Sequence, residues 1–122
     1  NWTNCVLLNK DLRSANLENA LLRNARLSTA DMQSANLRGA DMAYVDLSRA
    51  NLVGANMASA SLKGANLVGA DLRGASLVNA DLSYANLTGA NLRTTDFSGA
   101  ILNQAIWVDG SVCMADAVGR CK

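Results

Sequence analysis

The chain has 122 residues, half of them hydrophobic, a net charge of +1, and neither histidine nor proline. So even a charge balance sets up no global field for nucleic acid or a membrane surface, and no apolar run approaches the roughly 20 residues of a transmembrane helix. Without histidine, or a nucleophile set beside a base, no catalytic residue is expected, and the three cysteines alone make neither a metal site nor a cofactor site.

The chain opens at Asn1 rather than Met, as a cleaved leader or a chosen boundary would leave it. Trp2 is in register with the repeat that follows, whereas Lys10 stands where that repeat has alanine. Residues 1–10 therefore read as a degenerate first coil that packs as an N-terminal cap, with Trp2 in its lid. Cys5 falls in the alanine slot, where a small buried thiol substitutes readily.

Residues 11–109 are periodic. Every fifth residue from Leu12 to Trp107 is a large apolar side chain: fifteen Leu, three Met, Phe97 and Trp107. From Ala15 on, the residue two before each centre is alanine except at Val45 and Thr95. On a helix, five steps of about 100° would carry successive leucines around the cylinder. In extended chain, residues two apart share a side, so Ala and Leu can both point inward. The chain must then turn after each short extended piece, and seven glycines, among them Gly39, Gly64 and Gly99, fall two residues after a centre. Four turns close a square of twenty residues. Five such coils, stacked at the strand spacing of about 4.8 Å, make a rod about 24 Å long.

The pattern Ala-(Asp/Asn)-Leu-x-x, as in Ala30-Asp31-Met32, Ala65-Asn66-Leu67 and Ala70-Asp71-Leu72, resembles that of the pentapeptide-repeat proteins. The resemblance covers about four fifths of the chain. It implies an all-β solenoid, a right-handed quadrilateral β-helix of about five coils.

Residues 110–122 leave the repeat. Ser111 can N-cap a helix through Val112–Val118, with Gly119 ending it, so a short α-helical C-terminal cap is expected. Trp107, at a centre position, supplies a broad lid over the last layer. Cys113 and Cys121 are too far apart for a Cys-x-x-Cys motif, which leaves a disulfide, with two free thiols as the alternative. A bridge would close a loop of about nine residues, worth roughly 2.5 kcal/mol. The ending Trp107-Val-Asp-Gly-Ser-Val-Cys113 also resembles that of exported cyanobacterial and chloroplast members of the family. That likeness implies a disulfide-bracketed cap and a thylakoid-lumen or periplasmic location after leader removal, with the cytoplasm as the alternative.

With the interior assigned, only outward positions are free for function, and positions twenty apart stack into columns. One face sets Asp11, Asp31, Asn51, Asp71 and Asn91 beside Arg13, Gln33, Val53, Arg73 and Arg93. These read as self-neutralising pairs, with Arg13, Arg73 and Arg93 as a second candidate face for an anion. The next face carries Asn16, Asn36, Asn56, Ser76 and Asp96, an expected side-chain ladder. A third holds Tyr44 and Tyr84 two coils apart over Gly64, with Leu21 and Ile101 outward on the same side. Two phenols about 9–10 Å apart over a glycine gap would make the first candidate interaction face. The fourth face, with Ser28, Ser48, Val68, Thr88 and Val108, is nearly uncharged.

A non-catalytic scaffold that binds a protein partner through its outer faces is the leading expectation. Caps at both ends favour a monomer. Some members of the resembled family act as DNA mimics against type II topoisomerases. That role needs a strongly negative surface, against which Arg13, Arg23, Arg38, Lys63, Arg73 and Arg93 stand. A structural spacer with no dedicated partner is the third reading.

Overall fold

The computed structural model describes residues 1–122 as a continuous β-helix of square coils closed by a folded-back tail. Parallel bridges join each residue before a centre to the one twenty further on, from Val6 with Arg26 to Asn86 with Ile106. Twenty residues therefore make one coil, and four five-residue sides make the square.

The backbone donors of one repeat can be accounted for one by one. Around Leu47, the centre N–H donates to the Asn66 carbonyl (2.8 Å) and the Arg49 N–H to the Val68 carbonyl (2.8 Å), both one coil up. The Ala50 N–H closes the corner on the Leu47 carbonyl at 3.0 Å, and the Asp46 N–H reaches one coil down to Ala25 at 2.9 Å. The fifth donor, on Ser48, is capped by the Asp46 carboxylate at 3.0 Å. Every Asp or Asn before a centre between Asp11 and Asp96 makes this bond to the N–H two residues on. Aspartate and asparagine are interchangeable there because the bond uses one acceptor oxygen. The expected Asn ladder is correspondingly thin: Asn36 donates to Asn16 at 3.5 Å, and the other oxygens of that face cap their own turns.

The centres and the alanines fill the tube. Centres from Leu22 to Leu87 are fully buried, with Ala25 to Ala85 and Val45 packed between them. Towards the ends the centres Leu7, Leu12, Leu17, Leu92 and Phe97 are only partly covered.

The two ends differ in how they meet expectation. Residues 1–10 run in the same register as later coils, with the Trp2 N–H on the Leu21 carbonyl at 2.8 Å and the Leu7 N–H on Arg26 at 2.7 Å. They form the first coil, as the register of Trp2 implies, and Trp2 is a partly buried member of that layer. Lys10 fits the alanine slot because at the end of the stack the slot is exposed.

The C-terminal segment 111–119 is not helical. It lies antiparallel across two sides of the last coil, Val112 opposite Ile106 and Val118 opposite Ile101. The Trp107 N–H donates to Ser111 (2.7 Å), Cys113 to Ala105 (2.8 Å), Leu102 to Ala117 (2.9 Å) and Gly119 to Ala100 (2.8 Å). A seven-residue helix is marginal in isolation and would have left those edge groups unpaired. Ser111 serves the bend, its N–H and hydroxyl both donating to Asp109 at 3.0 and 2.6 Å. A disulfide joins Cys113 to Cys121 with their Cα atoms 5.0 Å apart. Trp107 packs on Phe97 with ring centroids 5.4 Å apart, which closes part of the last layer.

Candidate interaction faces

Tyr44 and Tyr84 occupy corner positions, the second residue after a centre, where the repeat demands a left-handed backbone. Their φ values are 58° and 62°, a region uncommon for bulky residues and occupied at most other corners by glycine, asparagine or serine. The strain holds each phenol out from a corner, leaving Tyr44 53% and Tyr84 61% exposed. Leu21 (47%) and Ile101 (37%) stand before their centres, where they give up the turn-capping oxygen an Asp or Asn would supply.

The expected open gap between the two phenols is closed. The Tyr44 ring lies over Gly64, so that a Cβ built on Gly64 would sit 2.6 Å from the ring's Cδ1 and Cε1. Glycine is favoured there by its φ of +66° and demanded by the ring above it. Gly64→Ala is expected to cost about 1–2 kcal/mol from the left-handed backbone alone, and to push the Tyr44 ring into solvent. Urea unfolding of Gly64→Ala in the parent and in a Tyr44→Gly background separates the two effects, since only the ring displacement vanishes in the second.

On the second face, the arginines are spoken for to differing degrees. Arg13 donates Nε and Nη2 to Asp11 at 2.9 and 2.8 Å and approaches Asp31 at 3.7 Å. Arg73 forks onto Asp71 at 2.9 and 2.7 Å. Arg93, beside the neutral Asn91, makes no ion pair. The anion stripe of three arginines thus reduces to one uncommitted guanidinium. Arg23 with Asp41 (3.2 Å) and Arg38 with Glu18 (3.8 Å) neutralise other corners in the same way.

The Arg13 fork, aided by the Arg13 N–H, draws the Asp11 carboxyl down to a pKa of about 2 from an ordinary 3.8. Arg73 lowers Asp71 by the same fork. A depressed carboxyl contributes stability above its unfolded pKa and loses it as pH falls through the folded value. Asp11→Asn keeps the turn-capping oxygen and loses the charge. The gap in thermal midpoint between parent and Asp11→Asn should therefore be constant above about pH 4 and close between about pH 4 and 2. Thermal melts at stepped pH read it, and a gap that persists at pH 2 would show that the fork is not its source.

No pocket opens on this surface, and no cluster of metal-binding side chains forms. What the geometry offers is a rigid rod with four ladder-like sides, a quadrilateral β-solenoid. The sequence matches the family model for pentapeptide repeats, in eight copies over residues 11–43, 40–77 and 75–106. The chain belongs to the pentapeptide-repeat family, whose fold is a right-handed quadrilateral β-helix and whose members are generally non-catalytic.

Two cyanobacterial structures are similar to it. HetL, a pentapeptide repeat protein involved in heterocyst differentiation regulation in Nostoc sp. strain PCC 7120, is 36% identical with a TM-score of 0.71. That match covers 90% of this chain and 50% of the other, so the chain spans half the length of HetL. Rfr23 from Cyanothece 51142 is 31% identical with a TM-score of 0.75, covering 86% of this chain and 89% of the other. A pentapeptide repeat protein of the Arabidopsis thaliana thylakoid lumen is 20% identical over 98% of this chain and 86% of its own, at a TM-score of 0.39, and is too far in shape to bear on function or location. No curated protein matches the chain.

Proposed function

We propose that this protein is a non-catalytic scaffold that binds a protein partner through the side carrying Leu21, Tyr44, Tyr84 and Ile101. One observation carries the reading: four large apolar or aromatic side chains stand out on one side of the rod, at slots where most repeats have Asp, Asn, Ser or Gly. Aromatic side chains on a rigid backbone lose little entropy on contact and dominate interface energetics. The Cys113–Cys121 bridge supports an oxidising compartment, the thylakoid lumen or the periplasm. The tail across the last coil favours a monomer, since it obstructs the end on which a second copy would stack.

The paired acids and cations and the net charge of +1 weigh against DNA mimicry. The test is a pull-down from the native compartment with the parent and with Tyr44→Gly plus Tyr84→Gly. Both changes relieve a left-handed residue and so preserve the rod. A partner lost from the variant alone identifies the face, while a full set of partners on both proteins rules it out.

A further inference from the structure

Residues 110–119 continue the repeat in sequence although they leave it in space. Read in fives from Trp107, Val112 and Ala117 are centres, Ala115 is in the alanine slot, Asp116 in the turn-capping slot and Gly119 in the corner slot. The folded-back tail uses a different set. Cys113 (1% exposed) and Ala117 (0%) point inward, while Val112 (58%) and Val118 (53%) are left outside.

This arrangement leaves the layer below half covered. The N–H groups of Leu72, Gly74, Leu77 and Asn79 donate to Asn91, Arg93, Asp96 and Ser98, each nineteen residues on. Their counterparts one coil up, on Leu92, Thr94, Phe97 and Gly99, have no acceptor within the chain. Leu92 and Phe97 are correspondingly only partly buried. A coil continued through 111–119 would bring the carbonyls of Ser111, Cys113, Asp116 and Val118 to those four donors. It would seat Val112 over Leu92 and small Ala117 over bulky Phe97, and let Asp116 cap the Val118 N–H as its equivalents do in earlier coils.

Two features hold the tail back. Gly110 turns at φ +85°, one residue later than the corners of the repeat, whereas in a continued coil position 110 is an alanine slot. The second is the disulfide. In a continued coil, Cys113 would stand outward in the Arg93 column and Cys121 in the Ile101 column, on opposite sides of the square. Side chains that point apart across the rod cannot be bridged, so the bond and the continued coil exclude one another.

We propose that the Cys113–Cys121 disulfide is a redox lock on the register of the tail. Oxidised, residues 111–119 lie folded back over two sides of the last coil; reduced, they wind on and cover the other two. The reductant is a dithiol. Its thiolate attacks the sulfur of Cys121, the less buried of the pair, and Cys113 leaves as a thiolate that takes up a proton. The second thiol of the reductant then breaks the mixed disulfide and releases the Cys121 thiol. Two electrons and two protons pass to the chain, and the reductant ends as a disulfide. The switch withdraws Val112 into the tube and takes Val118 away from Ile101, so the apolar patch beside Ile101 extends onto the tail only in the oxidised form.

Amide hydrogen exchange on the full chain, in air and in dithiothreitol, tests this. Oxidised protein should exchange quickly at Leu92, Thr94 and Phe97 and slowly at Cys113 and Gly119. Reduction should slow Leu92 and Phe97 at least tenfold and expose Cys113 and Gly119. Cys113→Ser with Cys121→Ser should show the reduced pattern in air. Gly110→Ala should strengthen protection at Phe97 in the reduced chain, and Asp116→Ala should weaken it. Reduction that leaves Leu92 and Phe97 fast, whether the tail stays docked or merely frays, overturns the proposal.

Discussion

Leu67→Ala is expected to destabilise the rod by about 2–5 kcal/mol, a large part of the 5–15 kcal/mol typical of a domain. Leu67 is fully buried, with equally buried Leu47 and Leu87 one coil below and above it in the same column. Truncation leaves a void that those neighbours cannot close, because the ladder fixes their height. The Leu67 N–H is held by Asn86 at 2.8 Å, and the Ala70 N–H by the Leu67 carbonyl at 3.0 Å. Each layer of a solenoid is supported only by the two beside it, so the loss falls at the middle of the stack. Leu7→Ala provides the contrast. Leu7 is a partly buried residue of the first layer, where removed methyl groups were half in water and no closed cavity forms, so its cost should be clearly smaller. Equilibrium urea unfolding followed by far-ultraviolet circular dichroism compares the two, and equal losses would mean that the centres do not form a layered core.

The tube was legible from the sequence because its constraints are local and repeated. Each Leu centre and each alanine meets the same surroundings as the one five residues earlier, so one correct reading of Ala65-Asn66-Leu67 serves for the whole stack. Position-specific features did not follow from the period. The column of Asn16, Asn36 and Asn56 reads as a ladder of polar side chains, but Asn36 and Asn56 spend their oxygens on the N–H two residues ahead. That bond depends on the corner geometry, which the spacing alone does not give. The tail was misread for a related reason. Ser111 to Gly119 has the local marks of a short helix, whereas the edge donors on Leu102 and Trp107 and the acceptors on Ala100 and Ala105 decide its path. Tyr44 and Tyr84 were placed in the right column, but the covering of Gly64 by the Tyr44 ring follows from a rotamer rather than from a pattern.

The alanine slot should resist added volume as the centres resist its loss, and Val45 shows how to measure it. Val45 is fully buried in an alanine column, and Ala65, one coil up in that column, is 1% exposed. The Asn66 N–H bond to the Val45 carbonyl at 2.9 Å fixes the distance between the layers. Ala65→Val adds two methyl groups where a valine already stands next door, and should cost about 1–3 kcal/mol from overpacking. Val45→Ala removes two methyl groups and leaves a void, for a loss of about 2 kcal/mol. Made together, the two changes move one valine up by one coil into surroundings that the repeat makes nearly equivalent. A volume-conserving exchange of this kind should cost less than about 1.5 kcal/mol, well short of the sum of the single losses. Urea unfolding of the parent, both single variants and the double variant completes the cycle. Strong non-additivity would show that neighbouring coils share one packing space at this column. Simple additivity would mean that each coil packs its own slot, and that Val45 is accommodated by some local widening of the tube.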